Sequence, residues 1–445
     1  MNRTSYLLCF LLTGIFTELH AQSGNPLFSD SNWSAHFQAT GIIQAHPSFT
    51  SPYSGQNSLD PNAERAFSVT STLYIGRRLW KGASIYFNPE MAGGKGIGST
   101  LGIAGFPNGE TFRIGNPEPV VYIARLFISQ NFNLDKDHIE YITDDANQIT
   151  DRLSTSRLTI SLGKFGVADF FDNNGVSHDP RTDFMNWAFM NNGAYDYAAN
   201  TRGYTYGLVA ELIKPGWALR FGTALMPTYA NGPSLDIHYL KTNSETIEYE
   251  RDFQIHQRKG AVRLLGYFNT SKAPNYDQVV HDKITGVDTS MDVIYGKEYG
   301  GKKFGLGINV EQELSPSTGF FMRIGWNDGK TATWAFSEID NTVSAGIKIN
   351  GKGWKRSGDN IGVAILTNGI SSGHRNFLNA GGYGFMIGDG KLPKYSRENI
   401  GEVFYQLYIF DHVWVSGDYQ FVLHPAYNQD RGPVHVFAAR VHVEW

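Results

Sequence analysis

The run FGLGINVEQE, Phe304 to Glu313, alternates without a slip: Phe304, Leu306, Ile308 and Val310 on one face, Gly305, Gly307, Asn309, Glu311 and Glu313 on the other. A period of two is that of a strand, whose successive side chains point to opposite faces. The next run repeats it, with Phe320, Met322, Ile324 and Trp326 set against Arg323, Gly325 and Asn327. Between the two lie the turn residues Ser315, Pro316, Ser317 and Gly319, so the pair reads as a hairpin. An apolar row backed by a wet row is the pattern of a strand in a transmembrane β-barrel.

Working outward, the same alternation places sixteen strands near 34–44, 66–77, 82–90, 119–130, 155–164, 203–213, 216–226, 245–255, 260–269, 303–313, 319–327, 342–350, 360–368, 400–409, 412–421 and 434–445. The segment 245–255 is weak by pattern but required by parity. Without it the short turns at Lys214 to Gly216 and Ser315 to Gly319 would fall on opposite sides of the membrane, whereas barrels keep short turns on the periplasmic side. One connection on that side is long: Asn131 to Ser154, a charged insert expected to hold a short helix and assigned no function. The chain ends AARVHVEW, an amphipathic strand closing on an aromatic residue.

Composition agrees with a barrel. Glycine is 49 of 445 residues, aromatics are 14% and charged residues only 18%, against about 25% in ordinary globular domains. Past the first residues no run reaches the roughly 18 apolar residues of a membrane helix. A net charge of −4 without a basic run excludes nucleic acid as a partner. Residues 1–21, with Arg3, an apolar stretch from Tyr6 to Phe16 and Ala21 before the expected cut, read as a secretory signal peptide. Residues 22–445 are then the barrel. The single cysteine, Cys9, lies in that leader, so no disulfide is expected in the mature chain.

One stretch breaks the alternation. Phe165 to Gly203 has neither strand nor helix period over 39 residues, a length that signals disorder or function. Its content of Phe165, Phe170, Phe171, Phe184, Trp187, Phe189, Tyr195 and Tyr197 excludes disorder. Around these rings stand Asp169, Asp172, Asp179, Asp183 and Asp196, many amides, and the arginines Arg181 and Arg202. Aromatic faces beside hydrogen-bonding groups suit a polyol, so the segment reads as a sugar-facing constriction loop, the third long one. A sixteen-stranded barrel leaves a lumen that its wall side chains do not fill, and an inward-folded loop would narrow it.

On strand phase, Glu90, Arg125, Arg220, Glu248, Glu250, Glu311 and Arg323 fall on the wet face. With Asp172, Asp183, Arg181 and Arg202 they make a ring of both signs, which disfavours strong ion selectivity and offers hydrogen bonds to neutral polyols. The competing reading makes them salt bridges that hold loop to wall. His178 and Asp179 with Asp172 and Asp183 lack the ligand spacing of a metal site, and Ala92 to Gly102 lacks the order of a phosphate loop. No metal, no cofactor and no catalytic residue is therefore expected.

At these residues the chain resembles the OprB family of carbohydrate-selective porins of Gram-negative outer membranes. The matching runs include Leu162 to Phe165, Asp169 to Asn173, His178 to Arg181, Phe184 to Trp187, Tyr195 to Tyr197, Thr201 to Gly207, Trp217 to Gly222 and Trp326 to Lys330. They continue through Ser371 to His374, Gly381 to Gly390, Asp418 to Gln420 and Pro425 to Pro433. The resemblance implies a sixteen-stranded barrel whose third loop folds inward to form a narrow eyelet passing glucose and related mono- or oligosaccharides. It implies constriction or loop-anchoring roles for Asp172, Arg181, Asp183, Asp196 and Arg202, stacking platforms at Trp187 and Tyr195, and places Glu90 and Arg125 in familiar runs. It further implies outer-membrane lipid and lipopolysaccharide as surroundings, and a monomer, with a trimer as the alternative. The competing functions are a general non-selective porin and an outer-membrane hydrolase acting on lipid or glycan.

Overall fold

The structure, a computed structural model, describes residues 32–111 and 117–445; the expected signal peptide lies outside them. Sixteen antiparallel strands close a single barrel. Its first quarter is β1 (Trp33–His46), β2 (Glu64–Trp80), β3 (Ala83–Gly94) and β4 (Val120–Asn133). An insert follows, carrying the small hairpin β5 (Ile139–Ile142) and β6 (Asp151–Ser154). The wall resumes with β7 (Arg157–Phe165), β8 (Thr205–Lys214), β9 (Trp217–Ala224), β10 (Asn243–Ile255), β11 (Arg258–Ser271) and β12 (Gly301–Ser315). It is completed by β13 (Thr318–Asn327), β14 (Asn341–Asn350), β15 (Asn360–Gly369), β16 (Glu398–Phe410), β17 (Val413–Leu423) and β18 (Val434–Glu444).

All sixteen expected strands overlap these, the parity-dependent one included, as β10. Closure is made by β1 against β18, and the last residue takes part: Trp445 N donates to Phe37 O at 2.8 Å and Phe37 N to Trp445 O at 2.9 Å. Six connections, between β2 and β3, β8 and β9, β10 and β11, β12 and β13, β14 and β15, and β16 and β17, are short and share one end with the chain terminus. Two-residue hairpin turns need left-handed residues, supplied by Gly82 and Gly216 and by the His256-Gln257 pair at φ 48 and 63.

The phase of the strands follows the sequence. Phe304, Leu306 and Ile308 are exposed on the outer face, while Asn309, Arg323 and Arg440 on the inner face are buried. Ile308→Lys therefore sets a charge on the lipid face and should lower barrel stability by about 2–4 kcal/mol, read from unfolding in lipid or detergent. A neutral result there would show that this row does not meet mid-bilayer lipid.

The inserted segment corrects one expectation. In place of a short helix it forms the β5–β6 hairpin, with Asp145 N to Gln148 O at 3.0 Å and Gln148 N to Asp145 O at 2.9 Å closing its turn. Four-residue strands of the composition IEYI and DRLS are too short for either periodicity to register.

Unlike an open pore, the barrel has an apolar core inside it. Phe184 from the 166–204 connection packs on Phe189 (5.5 Å between centroids), on Phe321 of β13 (5.5 Å) and edge-on against Phe404 of β16 (5.0 Å). Gly362 of β15 leaves room for it, since an added Cβ would lie 2.9 Å from Phe184 Cζ. On the other side of the lumen a cavity runs along β2, β3, β4 and β7, and a separate one of about 590 Å³ lies beside Gly175 and Val176 against β10–β13.

Candidate permeation constriction

The segment 166–204 between β7 and β8 crosses the lumen because the inner wall supplies partners for its backbone. Glu402 of β16 accepts the amides of Met185 (2.5 Å) and Asn186 (3.0 Å), and Glu248 of β10 accepts that of Asp172 (2.7 Å). Carbonyls are met by arginines. Arg323 of β13 donates to Phe189 O (2.7 Å) and Ser177 O (2.8 Å) and pairs with Asp172 at 3.1 Å, while Arg440 of β18 donates to Pro180 O (2.5 Å) and Asp183 O (2.9 Å). Buried backbone polar groups must find such partners, and here the wall charges are placed to provide them. A single turn of helix, α1 (Trp187–Met190), is capped by Asn186, whose side chain accepts from Ala188 N and also donates to Gly105 O of the 95–119 connection.

Two of the cavities lined by the described residues meet at Arg125 of β4. The outer one, about 190 Å³, is lined by Trp187, Tyr197, Tyr204, Arg202, Glu110 and Phe336 among others. The inner one, about 720 Å³, runs from Tyr74, Tyr86 and Phe127 to the inserted hairpin. Five residues border both: Arg125, Asp169, His178, Asp179 and Arg181. They form the waist between the two.

The waist carries both signs of charge in fixed pairs. Arg125 of β4 makes a two-pronged contact with Asp169, Nε to Oδ2 at 2.7 Å and Nη2 to Oδ1 at 2.5 Å, and lies over the Tyr204 ring at 5.2 Å. Such fork-to-fork pairs hold geometry as well as charge. Arg181 pairs with Glu110 at 3.0 Å and lies 3.9 Å from both Asp179 and Glu90. Burial works against its charge, but Glu110 and Asp179 outweigh that and raise its pKa, so it stays protonated. Burial likewise pushes the Asp179 carboxyl up, and Arg181 more than reverses it, holding Asp179 below the usual carboxylate range. At Glu110 burial wins and its pKa is raised. Arg125 Nη1 and Arg202 Nη1 are buried and have no hydrogen-bond partner among the described residues.

Above the waist the outer cavity has an aromatic wall. Phe336 stands 5.3 Å from Trp187 and 4.4 Å from Tyr197, and Arg202 stacks over Tyr122 at 4.1 Å. Flat faces beside charged hydrogen-bonding groups are the two things a sugar ring needs.

Of the residues expected from sequence, Arg125 and Arg181 border the waist and Trp187 and Arg202 the outer cavity. Glu90 stands just behind, buried, accepting from Thr72 Oγ1 at 2.7 Å and Tyr204 OH at 3.1 Å. The remaining four line neither cavity. Asp172 is held by Arg323; Asp183 binds Lys348 at 2.6 Å; Asp196 accepts the amides of Trp334, Ala335 and Phe336 at 2.8–3.0 Å. Tyr195, expected as a stacking platform, is buried with its hydroxyl on Thr246 at 2.7 Å. These four fasten the loops. On the far wall Arg220 joins Glu211, Glu248 and Glu250 at 2.8–3.1 Å, so the salt-bridge reading describes those inner charges.

Sequence reading missed Asp169, His178, Asp179 and Glu110 as lining residues. Asp169 and Asp172 are three apart in one loop, and which of them faces the channel depends on the path of the chain.

Comparison with known proteins follows the same line. A family profile described as carbohydrate-selective porin, OprB family, matches residues 56–445. Among solved structures, the high-pH structure of Pseudomonas putida OprB superposes with a TM-score of 0.70 at 15% identity, covering 94% of this chain and 95% of that one. Its low-pH structure gives 0.51 at 11% identity, over 94% and 93%. The outer-membrane channel DcaP of Acinetobacter baumannii gives 0.51 at 7% identity, over 93% and 97%. A search of curated sequences finds no significant match. Family and fold mark a channel of the Gram-negative outer membrane rather than an enzyme. The chain belongs to the OprB family of carbohydrate-selective porins.

Proposed function

We propose that neutral sugars cross this barrel by passive diffusion and are selected at the waist formed by Arg125, Asp169, His178, Asp179 and Arg181. The observation that carries this reading is the pairing of an aromatic wall, Trp187, Tyr197 and Phe336, with a waist in which each charge is answered by its opposite. A sugar ring rests a C–H face on the wall and exchanges water for the guanidinium and carboxylate groups below it. A small ion gains little, because no net field of one sign is presented to it. The working unit in this reading is a monomer, set in lipid and lipopolysaccharide and exported by a cleaved leader at 1–21.

Arg181→Ala tests the assignment. Removing the guanidinium leaves Glu110 and Asp179 facing each other across a wider waist. The flux ratio of glucose to a non-sugar of equal size should fall by roughly tenfold, the low end of the worth of one charge-assisted hydrogen bond, while small-ion conductance rises. An unchanged ratio in correctly folded protein would remove Arg181 from the selecting group.

A further inference from the structure

The 134–156 insert is not needed to close the barrel. β4 and β7 pair directly from Leu126 with Lys164 down to Asn133 with Arg157, where a tight turn would serve, as it does at five other positions. Instead the insert folds up into the lumen and is fastened there. Asp144 meets His36 at 3.2 Å, Arg78 meets Asp151 at 3.1 Å and Thr150 O at 2.5 Å, and Ile149 is buried beside Gly76, where an added Cβ would lie 3.1 Å from its Cγ1. At the tip, Asn147 accepts from Asn88 at 2.9 Å, and Asn88 is the ladder partner of the waist residue Arg125. The insert thus reaches from the barrel end to the level just below the waist.

It does not plug what it enters. The cavity it borders is about 720 Å³, larger than the 190 Å³ above the waist. Phe170, half-buried and packed edge-on against Phe165 (5.0 Å) and Phe127 (6.2 Å), lines that cavity next to the waist residue Asp169. The insert lines the same cavity with Asp145, Asn147 and Gln148, and the wall adds Asn131, Arg157 and Thr159. An aromatic ring in one cavity with carboxylate and amide groups repeats, below the waist, the chemistry found above it.

Resting on the sugar-channel reading, we propose that the insert builds a second carbohydrate subsite on the inner side of the waist, so that the channel engages a saccharide of two or three rings at once. One ring occupies the aromatic wall at Trp187 while the next ones, already through the waist, are held by Phe170 and the hairpin tip. The preferred permeant is then a short oligosaccharide rather than a free hexose.

Single-channel recording with the purified full chain tests this, using current blockade by glucose and by linear glucose di- and trisaccharides. The trisaccharide should bind at least about fivefold more tightly than glucose, the gain expected of one added set of hydrogen bonds. In Asn147→Ala/Gln148→Ala, and separately in Ala146→Trp, which fills the cavity at the hairpin tip, the trisaccharide-to-glucose affinity ratio should fall toward one. Equal affinities in the unaltered protein, or an unchanged ratio in both variants, overturn the second subsite. Absence of any glucose preference over a non-sugar of equal size in the unaltered protein would overturn the waist assignment as well, which separates the two failures.

Discussion

Arg323→Ala should release the inward segment: single-channel conductance rises severalfold and the preference for sugars over other solutes of the same size is lost. Arg323 is fully buried and donates to the carbonyls of Phe189, Ser177 and Asp172 while pairing with the Asp172 carboxylate. Its removal takes the cation from the Asp172 carboxylate, which keeps only the neutral donors Asn192 N and Asn309 Nδ2, and takes the guanidinium donor from Ser177 O; breaking a buried pair in this way costs about 3–5 kcal/mol. The barrel wall does not depend on the contact, because β13 keeps its ladders to β12 and β14. The cost therefore falls on the segment 166–204 and not on closure. Conductance and heat stability measured on the same sample separate the two. A variant with native conductance and native selectivity would mean that the remaining anchors, Glu402, Glu248 and Arg440, hold the loop alone.

The second large effect is expected at Phe184, which joins the segment to the wall without charge. Its ring meets Phe189, Phe321 and Phe404 at 5.0–5.5 Å and is fully buried. Phe184→Ala opens a cavity that Gly362 beneath it cannot fill, and such truncations cost about 3–5 kcal/mol. Because Met185 and Asn186 follow directly and bind Glu402, the loss should appear as a noisy, fluctuating conductance before it appears as unfolding. A loss under about 1 kcal/mol in chemical unfolding, well below this range, would show that the aromatic cluster is not what seats the loop.

The wall was legible in the sequence because a membrane barrel imposes one rule on every strand. Runs such as Phe304 to Glu313 display it plainly, and the weak run that became β10 was recovered from the parity of short turns rather than from its own pattern. The interior was legible only in part. Composition marked the 166–204 segment as rich in rings and carboxylates, but a carboxylate that accepts backbone amides, as Asp196 does, and one that borders a channel, as Asp169 does, are the same letter in a sequence. Trp187 and Tyr195 differ in the same way: one follows the Asn186 cap and borders the outer cavity, the other is turned into the wall toward Thr246. Glu110 gave no local signal at all, since its role arises when the 95–119 connection meets Arg181 from another loop. The hairpin within the insert was misread as a helix because its order comes from docking on His36, Arg78 and Asn88, not from its own periodicity.

The central claim is that this barrel selects sugars at a waist set by the inward segment, and liposome swelling addresses it most directly. Purified protein is reconstituted and swelling rates are compared for glucose, a non-sugar solute of similar size and a small electrolyte. Glucose should enter disproportionately fast, and Arg181→Ala should erase the advantage. Entry of all three according to size alone, with the variant behaving as the unaltered protein does, would contradict the account.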